Sequence, residues 1–271
     1  MRTALLTFQL FAYVTLTGCA STGLVRGTEP GLETHCETSG KPVSRHVELP
    51  AGKRFEFDVA WNRIPVGKVS AEVRPATVYR GREVHEVTVK TGSNRFLSAI
   101  YRVEDVYTSY VDAETFTSRR YEADRREGNY RKHVVVEYDL RNNRAVYTNY
   151  TDGSVKTCYV EKQVQDPVSA MAYFMTMPVD EEKTVRITVN LNEKNYDLTG
   201  TIGKREIVDL QGLGVYTGRR IRPSVTLGGR KVRKGRAWMY FSDDKNRYPL
   251  YGVVRIPFGS VTATLRKIED L

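Results

Sequence analysis

The residues able to do chemistry are few and scattered. Cysteine occurs at positions 19, 36 and 158 and histidine at 35, 46, 85 and 133. Cys19 follows Leu16-Thr17-Gly18 and precedes Ala20-Ser21, a small-residue stretch that a peptidase can enter in extended form, with a thiol placed to act as nucleophile. Cys36 and Cys158 can close a disulfide in an oxidising compartment, the alternative being two free thiols. The chain contains no Gly-x-Ser-x-Gly, no phosphate-cradling glycine loop, no His-Glu-x-x-His and no Cys-x-x-Cys. His85 and His133 stand in strand-like segments, where a lone histidine is more often a surface or satisfied residue than a ligand. Asp243-Asp244 looks like a carboxylate pair, but between Ser242 and Asn246 it reads as a hairpin tip whose side chains cap the turn. An acid–base mechanism would have to draw on isolated carboxylates such as Asp105 or Asp166. These residues point to a non-catalytic protein with no cofactor and no metal.

One charged constellation stands out. Arg219, Arg220, Arg222, Arg230, Lys231, Arg233, Lys234 and Arg236 place eight cations and no carboxylate in eighteen residues, nearly the whole excess of a chain of 271 residues and net charge +10. Gly228-Gly229 at its centre predicts a hairpin turn, with basic residues on both arms. Such a field attracts lipid headgroups, anionic envelope glycan or an acidic protein. A solvated hairpin face, with like charges turned to water and the strand edge protected from aggregation, is the alternative. Tyrosine is the other abundant type: Tyr101, Tyr107, Tyr110, Tyr121, Tyr130, Tyr138, Tyr147, Tyr150 and Tyr159 crowd the middle of the chain. They could stack on sugars or line a lipid concavity, but in antiparallel strands they are ordinary packing residues. Ligand carriage calls for an apolar or aromatic concavity opening beside the basic hairpin.

What positions these residues begins at the N-terminus. Met1-Arg2 and the apolar run Ala4 to Thr17 have the form of a secretory signal, too short to span a bilayer, which needs roughly 20 apolar residues. Leu16-Thr17-Gly18-Cys19 resembles the lipobox of bacterial lipoproteins. The resemblance implies cleavage before Cys19, lipidation of its sulfur and amino group with acyl chains such as palmitate, and stable anchoring by two or three chains. Ala20, where inner-membrane retention would ask for aspartate, implies the periplasmic leaflet of the outer membrane. In that compartment nucleic acid is not an expected partner. Removing residues 1–18 takes away Arg2 and no carboxylate, so the net charge becomes +9. Residues 19–48, rich in Gly, Ser, Thr and Pro, read as a flexible tether.

From residue 49 to 271 the hydrophobic period is two. Phe55, Phe57, Val59 and Trp61 share one face of a strand, with Glu56 and Asp58 on the other. The pattern recurs in VGKVSAEV, EVHEVTVK, HVVVEYDL, RAVYTNYT, SVKTCYVEK, VRITVNLN and GRAWMYF. Turn signals at Ile64-Pro65, Arg80-Gly81, Glu127-Gly128-Asn129, Asn142-Asn143, Thr151-Asp152-Gly153, Gly228-Gly229 and Ser242 to Asn246 separate them. This predicts an all-β, mainly antiparallel domain, either one strongly curved or barrel-like sheet or a sandwich, with no βαβ crossover. A short helix is predicted at 166–175, where Asp166 supplies the N-cap and Pro167 the first position, and a second helical segment at 95–102.

The segments FDVAWNRIPVGKVSAEV, Asp166-Pro167-Val168-Ser169-Ala170 and SDDKNRYPLYGVVRIPFGSVTATL resemble the bacterial domain of unknown function 3108 family over roughly residues 53–268. The resemblance implies an exported, β-rich domain and supplies no catalytic residues. Where a run such as Tyr-Tyr-Leu-Arg is common in that helix, this chain has Tyr173-Phe174-Met175-Thr176, so an arginine role there does not carry over. The combined expectation is an outer-membrane-anchored periplasmic lipoprotein, a binding or scaffold domain for an envelope lipid, glycan or protein. The alternative is an envelope hydrolase or transferase acting on cell-wall material.

Overall fold

The computed structural model describes residues 48–177, 184–232 and 236–271. Cys19, Cys36, the tether up to residue 47, Arg233 and Lys234 lie outside the described residues. The first half of the domain runs β1 (Lys53–Trp61), β2 (Ile64–Val73), β3 (Thr77–Tyr79), β4 (Arg82–Ser93), α1 (Arg95–Ser98), β5 (Glu104–Asp112), β6 (Ser118–Glu127), β7 (Tyr130–Asp139), β8 (Arg144–Asn149) and β9 (Val155–Tyr159). The second runs β10 (Val164–Gln165), α2 (Pro167–Thr176), β11 (Thr184–Leu191), β12 (Lys194–Leu210), β13 (Gly214–Leu227), β14 (Arg230–Lys231), β15 (Arg236–Ser242), β16 (Pro249–Ile256) and β17 (Gly259–Asp270).

All of these strands belong to one sheet. Within each half the pairing follows chain order and is antiparallel except for β10 with β11, with β2 also pairing β4 past the short β3 and β13 pairing β15 past the short β14, and the halves join where β1 lies between β2 and β17. Phe57 faces Leu265 and Val59 faces Ala263 across that join, all buried, so the alternation read from β1 is the one that fills the interior. The sheet curves until its two ends, β9 and the β10–β11 pair, approach each other, but it does not close. It is a single barrel-like sheet and not a sandwich.

Side chains bridge the resulting seam. Asn195 Nδ2 donates to the Tyr159 carbonyl at 2.8 Å, Thr188 Oγ1 to Glu161 at 3.1 Å, and Lys156 pairs with Glu193 at 3.0 Å. Deeper in, the Tyr147 hydroxyl donates to Asn190 Oδ1, and Asn190 Nδ2 lies 3.8 Å from the Cys158 sulfur. Burial pushes the pKa of this half-buried thiol up.

Helix α2 plugs the interior. Asp166 accepts from the Val168 and Ser169 amides, Ser169 returns a bond to the Asp166 backbone, and Pro167 begins the helix, as its sequence predicts. Eight of its ten residues are buried, on every side. Gly200 on β12 exists for this plug: a Cβ there would stand 2.9 Å from the Phe174 ring.

Three local expectations are corrected. Helix α1 spans four residues and not 95–102, because it buries none of them and nothing packs a longer helix into place. The β1–β2 turn is Asn62-Arg63, both at positive φ, while Ile64 and Pro65 already belong to β2. β10 and β11 are parallel with α2 between them, a small βαβ crossover that two residues of β10 were too few to announce. At Gly228-Gly229 both residues have positive φ and close the expected hairpin.

Candidate functional site

A concavity of about 900 Å³, lined by described residues, opens at the seam. Its lining comes from five separated stretches of chain and from α2. Arg82 begins β4, Glu114, Thr115 and Thr117 come from the β5–β6 connection, Arg119 stands at the start of β6, and Leu140 and Arg141 follow β7. Glu161 to Gln163 and Gln165 lead into α2, Tyr173 projects from it, and Arg186 to Thr188 stand on β11.

Asp112, buried at the end of β5, organises the first of these loops. Its Oδ1 accepts from the Glu114 and Thr115 amides, and its Oδ2 accepts from Arg119 Nε and Nη2 at 2.8 and 2.6 Å. Burial alone would raise the pKa of this carboxyl, but the Thr115 amide and the Arg119 guanidinium outweigh it and hold it below the ordinary range. Phe116 takes a left-handed conformation, φ 54°, and its carbonyl accepts from Gln165 Nε2 at 2.9 Å. Gln165 is buried, yet its Oε1 has no hydrogen-bond partner.

With Arg119 engaged by Asp112, four exposed cations remain around the mouth: Arg82, Arg141, Lys162 and Arg186. None of the four has an ion-pair partner among the described residues. The carboxylates facing them are Glu114 and Glu161. Leu140, Ile187 and Tyr173 supply an apolar wall. A concave site with an apolar wall and a cationic rim is suited to a molecule with an acidic group and an apolar part.

The basic segment is arranged differently from its sequence. Strand alternation divides it: Arg219 turns inward, is 4% exposed and binds Asp243 at 2.7 Å, with Arg205 on the other oxygen of that carboxylate. Arg219 is therefore an interior ion-pair residue and not part of an open anion site. Arg220 turns outward and pairs with Glu206 at 3.0 Å. Arg222, Arg230, Lys231 and Arg236 are exposed, and Arg236 stands opposite Arg255, whose guanidinium covers the Trp238 ring at 5.1 Å. The large concavity does not open beside this hairpin, since none of its lining comes from residues 219–236. Asp244 caps its turn as expected, accepting from Ser242, Asn246 and Arg247.

Comparison with protein families gives a match to the model described as "Protein of unknown function (DUF3108)" over residues 56–266. The chain belongs to the DUF3108 family. The β-barrel-like protein of domain of unknown function DUF1849 from Brucella abortus shares the fold, with TM-score 0.57 at 11% identity over 82% of this chain and 99% of that one. Two further solved structures align less well. One, from Bacteroides fragilis, is described as an exported protein with a YmcC-like fold (TM-score 0.31, 10% identity, 83% and 99% of the two chains). The other, from Parabacteroides distasonis, is described as a lipoprotein (TM-score 0.33, 7% identity, 82% and 97%). No curated protein matches the chain.

The candidate acids of the DUF3108 domain lie in separate buried networks. Asp166 accepts from the Ser109 and Ser118 hydroxyls, each at 2.5 Å, besides its two helix amides. Burial pushes its carboxyl upward in pKa against the pull of these donors. Asp105 accepts from the Arg126 amide and the Tyr107 hydroxyl and neighbours Glu127, which Arg125 grips through two nitrogens. Burial, with Asp105 as a second negative neighbour, raises the pKa of Glu127 even beside Arg125. Neither Asp105 nor Asp166 lines the seam concavity. His133 lies on the surface, 2.7 Å from Glu122 and stacked on Tyr150. Tyr107, Tyr121, Tyr138 and Tyr147 are buried, the packing role that strand tyrosines usually take. Tyr121 and Tyr147 also edge a smaller polar cavity of about 160 Å³ near the other end of the seam. The concavity itself left no local sequence signal; the nearest was polar Gln163 and Gln165 directly before the helix start.

Proposed function

We propose that this DUF3108 protein is a lipid-anchored, non-catalytic binding protein of the bacterial envelope. Its seam holds an anionic amphiphile: a phosphate or carboxylate group at Arg82, Arg141, Lys162 and Arg186, and an apolar portion along Leu140, Tyr173 and Ile187. The observation that carries this reading is the concavity of about 900 Å³, with cations at its mouth that have no ion-pair partner among the described residues and the unpartnered Gln165 Oε1 in its wall. The anchor follows from the lipobox at Cys19, and residue 20 favours the outer membrane. The binding reading is further supported by Asp105 and Asp166, which an envelope hydrolase or transferase would need: both are buried and already bonded.

Two measurements test the parts separately. Cys19→Ser should move the protein from the membrane to the soluble periplasmic fraction, and a mutant that still pellets with outer membranes would refute the anchor. Titration with monomeric short-chain phosphatidylglycerol should show saturable binding, weakened about tenfold or more by Arg141→Glu/Arg186→Glu, a loss of roughly 1.4 kcal/mol or more. Equal binding of short-chain phosphatidylcholine, or none of either, would refute the anionic site.

A further inference from the structure

The strongest unexplained surface lies where β4 ends, at the far end of that strand from Arg82 and the seam concavity. Three loops meet there: the β1–β2 turn, the β4–β5 connection containing α1, and the β16–β17 turn. Asn62 ties the first to the third, its amide donating to the Ser260 carbonyl at 2.8 Å and its Oδ1 accepting from the Ser260 amide at 2.8 Å. Asn94 ties the second to the first, its Nδ2 donating to the Pro65 carbonyl at 2.7 Å and its amide to the Val66 carbonyl at 2.8 Å.

These stitched loops display large apolar side chains to solvent. Ile64, Phe96, Ile100 and Phe258 are each more than half exposed, and Trp61 stands beside them at 37%. Helix α1 buries none of its residues, so Phe96 is not a core residue caught in transit. Burying such side chains is worth roughly 1.5–3 kcal/mol each, and a cluster of them left in water marks an interaction site.

The charge carried by the stretches that form the cluster is positive. Residues 60–67, 94–102 and 251–263 contain Arg63, Arg95, Arg102 and Arg255 and no Asp or Glu. The next carboxylate along the chain, Glu104, is held by Arg102 at 2.6 Å. Arg236 adds a cation opposite Arg255.

We propose that this loop tip docks onto an anionic lipid bilayer, with Trp61, Ile64, Phe96, Ile100 and Phe258 entering the interfacial layer and the arginines meeting lipid phosphates. Apolar side chains raised on separate loop tips, an interfacial tryptophan and an arginine-rich rim match the layered chemistry of a leaflet. A folded protein partner would instead be met by a rim carrying both signs of charge. The tip and the start of β1 lie at opposite ends of that strand, about 30 Å apart at strand rise. The 28 residues between Cys19 and Glu48 can span up to about 95 Å when extended, so an anchor at Cys19 leaves the tip free to reach the same leaflet. This surface does not depend on what the seam binds.

The test uses the chain from residue 19, which retains every described element, with Cys19→Ser to remove the anchor and Trp238→Phe to leave Trp61 as the reporter. On vesicles of phosphatidylcholine containing phosphatidylglycerol the protein should co-float and Trp61 emission should shift to the blue, both weakening as salt rises. Phe96→Asp/Phe258→Asp should cut partitioning about tenfold or more, and Arg63→Glu/Arg95→Glu should do so on anionic vesicles. Circular dichroism confirms that each variant is folded. Absence of flotation with unshifted Trp61, or flotation that survives both pairs of substitutions, would overturn the proposal. So would tip-dependent crosslinking to an envelope protein without any vesicle binding.

Discussion

Replacing Asp166 by alanine should be among the most damaging single changes in this domain. The carboxylate is fully buried and accepts four hydrogen bonds, from the hydroxyls of Ser109 and Ser118 and the amides of Val168 and Ser169. Alanine leaves all four donors without an acceptor, and each unsatisfied buried group costs about 1–3 kcal/mol. Even at the low end the loss is about 4 kcal/mol, a large share of the roughly 5–15 kcal/mol that holds a domain folded. Asp166→Asn should cost much less, about 1–2 kcal/mol, because asparagine caps a helix well and its NH₂ can donate to hydroxyl oxygens that rotate to accept. Urea unfolding of the two variants, fitted with a common m-value, measures the difference. A loss under about 1 kcal/mol for alanine, or equal losses for the two, would refute the network described here. The result bears on function because Asp166 seats the start of α2, and with it Gln165 and Tyr173 in the wall of the concavity.

Gly200→Val should lower stability by about 1–3 kcal/mol or more, read as a fall in Tm, since its side chain would enter space occupied by Phe174 and Ile221. Acid should destabilise the domain through Asp112 and Asp243. In both, burial is outweighed by bonds to Thr115 and Arg119, or to Arg219 and Arg205, so the folded pKa lies below the unfolded one. Their contribution is complete above the unfolded carboxylate value, about 3.9, and is lost as pH falls through the folded values, where the unfolded chain binds more protons. Urea midpoints measured across this acid range should fall more gently in Arg119→Ala, which loses part of the Asp112 contribution at the outset; an unchanged slope would refute the assignment.

Much of the fold was legible because it is locally encoded. Phe55, Phe57 and Val59 announce the inward face of β1, Asp166-Pro167 announces α2, and Gly228-Gly229 announces its hairpin. What escaped depends on partners distant in sequence. β10 carries too few residues to show a period, and α1 stops at Ser98 because no surface receives a longer helix. The basic run drew attention by its density along the chain, but alternation sends Arg219 inward to Asp243 and Arg220 to Glu206. The seam cations lie far apart in sequence, at 82, 141, 162 and 186, and only the curvature of the sheet brings them around one mouth. The apolar tip was hidden for the same reason: Trp61 reads as an inward strand residue by alternation, whereas the Asn62-Arg63 turn leaves it at the rim.

The central claim, that the seam holds an anionic amphiphile, is tested most directly by purifying the delipidated domain from its native envelope and identifying co-purifying small molecules by mass spectrometry. The account predicts reproducible, near-stoichiometric recovery of one class of phosphate- or carboxylate-bearing amphiphile with the unaltered seam and its loss from Arg141→Glu/Arg186→Glu. An empty domain, or a ligand retained equally by that variant, would contradict it.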